Sequence, residues 1–88
     1  MYMKDYEKIL KALANRRRLQ IVKYLKVRKL ATVTSIAEHL KLSIKSTSKH
    51  LAVLLGAGIV DREQKNLSML YSIADSLPVL ARQIINLI

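Results

Sequence analysis

The sequence predicts a mainly α-helical domain with a small β-hairpin, in the order α-α-α-α-β-β-α. Three observations lead there. Apolar residues recur at helical spacing as far as Ala57. After Gly58 the period shifts to alternation, the pattern of a half-buried strand. The chain has 88 residues, of which 51% are hydrophobic, enough for one core and too few for two. Residues 1–88 are therefore expected to form a single domain.

The first helix is expected from Asp5 to Leu13, with Tyr6, Ile9, Leu10 and Leu13 on one buried face. Asn15 is a suitable N-cap for a second helix from Arg16 to Leu25, carrying Leu19, Ile21, Val22 and Leu25. Its opening Arg16-Arg17-Arg18 places three cations at the positive end of the helix dipole. That arrangement calls for an external anion, or for Arg18 to reach across to an acid. Lys26 to Ala31 reads as a basic connector. A third helix ends near Leu40, and either Thr32 or a Ser35–Glu38 capping box starts it.

Ser43 is an N-cap for the fourth helix, Ser43–Ala57 with its cap. Thr47, Leu51 and Leu54 recur at i, i+4, i+7 and should face the core. Lys45, Ser46, Lys49, His50 and Val53 fall on the other side, and no acid occurs from Leu40 to Val60. Gly58 stops the helix. A hairpin follows: a strand over Ile59–Glu63, a loop over Gln64–Leu67 and a return strand over Ser68–Ile73. Ser76 is expected to cap the last helix, with Pro78 in its first turn. That helix carries only Arg82, Gln83 and Asn86 as a polar stripe. An otherwise apolar helix needs burial on two sides, most simply in its own domain and against a second copy.

Charge and composition narrow the function. Sixteen Lys+Arg against six Asp+Glu give a net charge of +10. All of that excess lies in residues 1–60, because residues 61–88 hold three bases and three acids. A compact basic domain attracts phosphate polymers or anionic surfaces. Four Tyr with no Trp or Phe argue against a single-strand stacking platform. No apolar run approaches membrane-spanning length, and no signal peptide is visible. Zero Cys excludes disulfides and thiolate metal sites. Only His39 and His50 are otherwise available, and the six acids show no fixed-spacing cluster, so no metal or other cofactor is expected. Enzyme chemistry lacks its parts: there is no nucleophile–base–acid set and no Gly-rich phosphate loop. Ser48 and His50, two apart on one helix, do not face each other as a dyad.

The order helix, helix, helix–turn–helix, hairpin, helix is that of a winged helix–turn–helix domain. The segment ALANRRRLQIVKYL (Ala12 to Leu25) resembles the opening signature of ArsR-type repressors. IAEHLKLSIKSTSKHLAVLLGAGIV (Ile36 to Val60) is similar to their helix–turn–helix and exit into the wing. Ser48-x-His50-Leu51, Leu54 and Ala57-Gly58-Ile59-Val60 carry that likeness. The resemblance implies a homodimer paired through the first and last helices. Tyr6, Ile9, Leu77, Leu80, Ile84, Ile85, Leu87 and Ile88 are expected at that interface. It also implies that the fourth helix enters the major groove of double-stranded DNA while the hairpin touches the flanking backbone. Ser43, Ile44, Lys45, Ser46, Ser48, Lys49 and His50 match the recognition segment, and Arg62 and Lys65 fall where wing contacts are expected. Arg18 matches the family's arginine early in the second helix.

The chain departs from the resemblance in three places. Thr32-Val33-Thr34 stands where metal-sensing members carry a thiolate motif. Lys41 occupies a turn position where Gly is common, at a cost of roughly 1–2 kcal/mol if left-handed. The hairpin has no Gly and few Arg. The expected function is a sequence-specific DNA-binding transcriptional regulator, a repressor by resemblance, resident in the cytoplasm on the nucleoid. No motif names a small-molecule effector. Two alternatives remain: a non-specific architectural DNA binder, and a winged-helix protein-interaction module.

Overall fold

The computed structural model describes residues 2–88. The elements are α1 (Met3–Leu13), α2 (Arg16–Arg28), β1 (Ala31–Thr32), α3 (Val33–Leu40), α4 (Ile44–Gly56), β2 (Val60–Lys65), β3 (Ser68–Ile73) and α5 (Val79–Leu87). The capping residues act as their chemistry dictates. Asn15 Oδ1 accepts from the Arg18 backbone N–H at 3.1 Å. Thr32 Oγ1 accepts from Ser35 N–H at 3.1 Å, and Ser43 Oγ from Ser46 N–H at 3.0 Å. Each satisfies a donor that the first helical turn leaves without an intrahelical partner. Thr32, not Ser35, is thus the start of α3.

Several boundaries differ from the sequence expectation. Lys26, Val27 and Arg28 continue α2 instead of forming a connector. Lys26 Nζ donates to the Ile85 carbonyl at 2.9 Å, tying the end of α2 to the end of α5. Ala31–Thr32 forms an edge strand, so the expected two-stranded hairpin is a three-stranded antiparallel sheet in the order β1-β3-β2. Ala31 pairs with Tyr71, and Val60 with Ile73 through to Lys65 with Ser68. The loop expected over Gln64–Leu67 tightens to Asn66-Leu67, with Asn66 at φ 57°, a conformation Asn tolerates. The last helix begins at Val79 with Pro78 as its N-cap; Ser76 lies in the preceding turn. Proline's ring disfavours helical geometry at Leu77, so the helix cannot run back to Ser76.

The core is built where the apolar stripes meet. Ile21, Val22 and Leu25 of α2 pack with Ile36 of α3, Leu51 and Leu54 of α4, and Ile59 and Val60 at the entry to β2. Ile9, Ala12 and Leu13 of α1 and Ala81 and Ile85 of α5 close it from one side. Thr47 is buried as expected; its Oγ1 donates to the Ser43 carbonyl at 2.9 Å. Tyr6 and Leu10 leave the face assigned to them: they are 41% and 48% exposed, and Ala12 is buried in their stead. Lys41, at φ 58° and ψ 43°, makes the tight left-handed turn that brings α4 across α3. Gly58, at φ 73°, makes the turn into β2.

Candidate nucleic-acid interface

Burial of Thr47, Leu51 and Leu54 fixes the roll of α4, and with it the outward face. Ser43, Ile44, Lys45, Ser48 and Lys49 are exposed; Ser46 and His50 are half-buried at the edge of that face. The structure thus brings all seven expected recognition residues to the first half of one helix. Two lysines project without a neighbouring acid on the helix. Ser43 uses one lone pair of its hydroxyl as the cap, which leaves its O–H donor and a second lone pair for other partners.

His50 is not isolated. Arg18 Nη1 lies 3.3 Å from His50 Nδ1. Burial, and then the Arg18 and Arg17 guanidiniums, hold the imidazole below its ordinary value of 6.5, favouring the neutral ring. Arg18 does not reach an acid. Its Nε donates to the Ala12 carbonyl at 2.6 Å and its Nη2 to the Lys11 carbonyl at 3.1 Å. The negative end of α1 therefore compensates the cation that the positive end of α2 disfavours. Arg17 Nη1 donates to the Leu40 carbonyl at 3.5 Å and to Gln20 Oε1 at 3.4 Å.

The wing candidates, Arg62 and Lys65, are both exposed on β2 and stand on opposite faces of the ribbon, because successive side chains of a strand point to opposite faces. Lys65 shares its face with Asp61 and Glu63. It stands at the tip, beside the Asn66-Leu67 turn, and Arg62 pairs across to Tyr71.

A second surface lies where α1 packs on α5. Of the residues expected at a dimer interface, Ile9 and Ile85 are 3% exposed and belong to the protein's own core, so they are not free to meet a partner. Leu77, Leu80, Ile84 and Ile88 are half-buried against that core. Tyr6 and Leu87 are exposed, Leu87 at 84%. Leu80, Ile84 and Leu87 recur at i, i+4, i+7 and make one apolar stripe. Met3, Tyr6 and Leu10 make another on α1, and all three are exposed. Met3 and Leu10 were missed as surface residues, although their spacing with Tyr6 is legible in the sequence.

Residues 15–62, more than half of the chain, match the model of the family described as bacterial regulatory protein, arsR family. The chain belongs to the ArsR family. The ArsR-family match spans the Arg18 segment, the helix–turn–helix and the entry to the wing. Solved structures agree over nearly the whole chain. The transcriptional repressor PagR of Bacillus anthracis is 33% identical, with a TM-score of 0.80, over 97% of this chain and 93% of that one. Reduced HlyU from Vibrio cholerae is 30% identical, with a TM-score of 0.81, over 96% and 84%. A homodimeric winged helix–turn–helix DNA-binding domain from Mycobacterium bovis is 27% identical, with a TM-score of 0.83, over 97% and 75%. Curated protein sequences gave no match. Unlike family members that sense metals through cysteine, this ArsR-family chain contains no Cys. Among its described residues no cluster of three His, Asp or Glu is placed to hold a metal ion. No helix among them is long and apolar enough to cross a membrane.

Proposed function

We propose that the protein is a homodimeric transcriptional regulator that reads double-stranded DNA by sequence, acting as a repressor at the nucleoid in the cytoplasm. The observation that carries this reading is α4: a helix buried on one face by Thr47, Leu51 and Leu54, basic and acid-free on the other. A helix of this size fits the major groove, and its N-terminal half reaches base edges. Lys45, Ser46, Ser48 and Lys49 supply donors for base edges or phosphates, with Ser43 and Ile44 at the entering end. Lysine donates to guanine acceptors, and a serine hydroxyl suits any base. His50 is assigned a phosphate, as most protein–DNA hydrogen bonds go to the backbone. Lys65 at the wing tip is assigned a flanking phosphate, and Arg62 a lesser role on the opposite face.

Dimerisation is supported by the exposed apolar stripe on α1, by the partly exposed one on α5 that ends in Leu87, and by the homodimeric state of the Mycobacterium bovis domain. Repression is supported by the likeness to PagR. No catalytic role is assigned to any residue. The test is a triple variant, Lys45→Ala, Ser46→Ala and Lys49→Ala, titrated against a preferred duplex and a scrambled one. The reading predicts that the preference between the two disappears. Undiminished preference would move recognition off α4.

A further inference from the structure

Arg18 stands in the second helix, outside the recognition segment, yet it joins three elements. Its guanidinium spans the Lys11 and Ala12 carbonyls at the end of α1 and the imidazole of His50 on α4. The 2.6 Å bond from Nε to Ala12 is short, as charge-assisted bonds are. With Leu10 O taken by Ala14 N–H and Leu13 O by Asn15 N–H, Arg18 completes the carbonyls that close α1.

The chemistry of the third bond is one-directional. A guanidinium donates only, so His50 Nδ1 must accept with its lone pair. A neutral ring that accepts at Nδ1 carries its proton at Nε2. A cation hydrogen-bonded at one ring nitrogen also polarises the other N–H and makes it a stronger donor. We propose that Arg18 is a positioning residue for DNA binding: anchored on the end of α1, it holds His50 in the Nε2–H form and presents that N–H to a DNA backbone phosphate. This rests on the reading of α4 as the DNA-contacting helix. It ties the helix that carries one apolar stripe to the helix that touches DNA.

The experiment combines a spectroscopic measurement with a double-mutant cycle. Long-range proton–nitrogen correlation spectra of the free, full-length protein assign the His50 ring nitrogens. Binding to a mixed-sequence duplex at low salt is then measured for the wild type, Arg18→Lys, His50→Ala and the double variant. Arg18→Lys keeps the charge, and so guards against simple loss of folding, but an ammonium cannot span three acceptors in a plane. The expected spectrum shows Nε2 protonated and Nδ1 as a hydrogen-bonded acceptor, with the Nδ1 resonance moving to that of a free acceptor in Arg18→Lys. Each single variant is expected to weaken binding about tenfold, the size of one hydrogen bond to a charged group, and the double variant no more than either. His50→Gln, which retains an N–H near the Nε2 position, is expected to recover most of the loss. Protonation at Nδ1, or single losses that multiply to about a hundredfold, would overturn the role of Arg18 while leaving α4 as the DNA helix. A wild type that binds no duplex would overturn the DNA reading itself, and this role with it.

Discussion

Single residues set the precision of the α4 surface. Ser43 caps α4 with its hydroxyl, and Ser43→Ala is expected to lower unfolding free energy by about 1 kcal/mol in urea titrations. Thr47 spends its hydroxyl on the Ser43 carbonyl, so this first turn is held from two sides. His50 is expected to make stability depend on pH. Its folded value is depressed by burial and by the Arg18 and Arg17 charges, so the unfolded chain binds the proton more readily. The contribution is therefore fully present above the ordinary value of 6.5 and is lost as pH falls through the folded one. Urea midpoints at about pH 7.5 and about pH 5.5 should differ more for the wild type than for His50→Gln. Equal differences would remove His50 as the source.

At the scale of elements, the caps and stripes were the legible part. Asn15, Ser43 and Gly58 act as side-chain chemistry and glycine's backbone freedom dictate, and the buried face of α4 follows from Thr47, Leu51 and Leu54. What the sequence hid has physical reasons. Ala31–Thr32 is too short to show a period, and it becomes a strand only because the open edge of β3 offers it partners. Pro78 constrains the residue before it, which moves the start of α5 past the better capping side chain of Ser76. The three cations opening α2 called for an external anion or for an acid within reach of Arg18, but the carbonyls at the end of α1 come within reach only once α1 and α2 are folded together. The same docking decides that Ile9 and Ile85 serve the protein's own core while Tyr6, Leu10 and Leu87 do not. The turn between α3 and α4 carries strain: Lys41 sits in the left-handed region where a side chain costs energy. Lys41→Gly is expected to raise stability by about 0.5–1 kcal/mol, read as a higher urea midpoint. A lower midpoint would mean that the lysine side chain itself supports the turn.

For the whole molecule, a +10 chain with its net positive charge in the first two-thirds gives DNA binding a strong electrostatic share. Removing the wing-tip cation by Lys65→Ala should weaken binding about equally on all sequences and reduce the salt slope by about 1. On the proposed reading, specificity belongs to α4, and symmetry to the stripes on α1 and α5. Leu10→Glu combined with Leu87→Glu places charge on exposed positions, so the fold should persist while sedimentation reports a monomer. A variant that stays dimeric would place the interface elsewhere. On the proposed reading, two copies present their α4 helices to successive major grooves. The most direct test is selection from a random duplex library at near-physiological salt, with sequencing of the bound pool. The expected result is an enriched inverted repeat with half-site centres about 10 bp apart or a multiple of that. A pool that binds without enrichment would contradict it, leaving a basic domain that coats DNA without reading it.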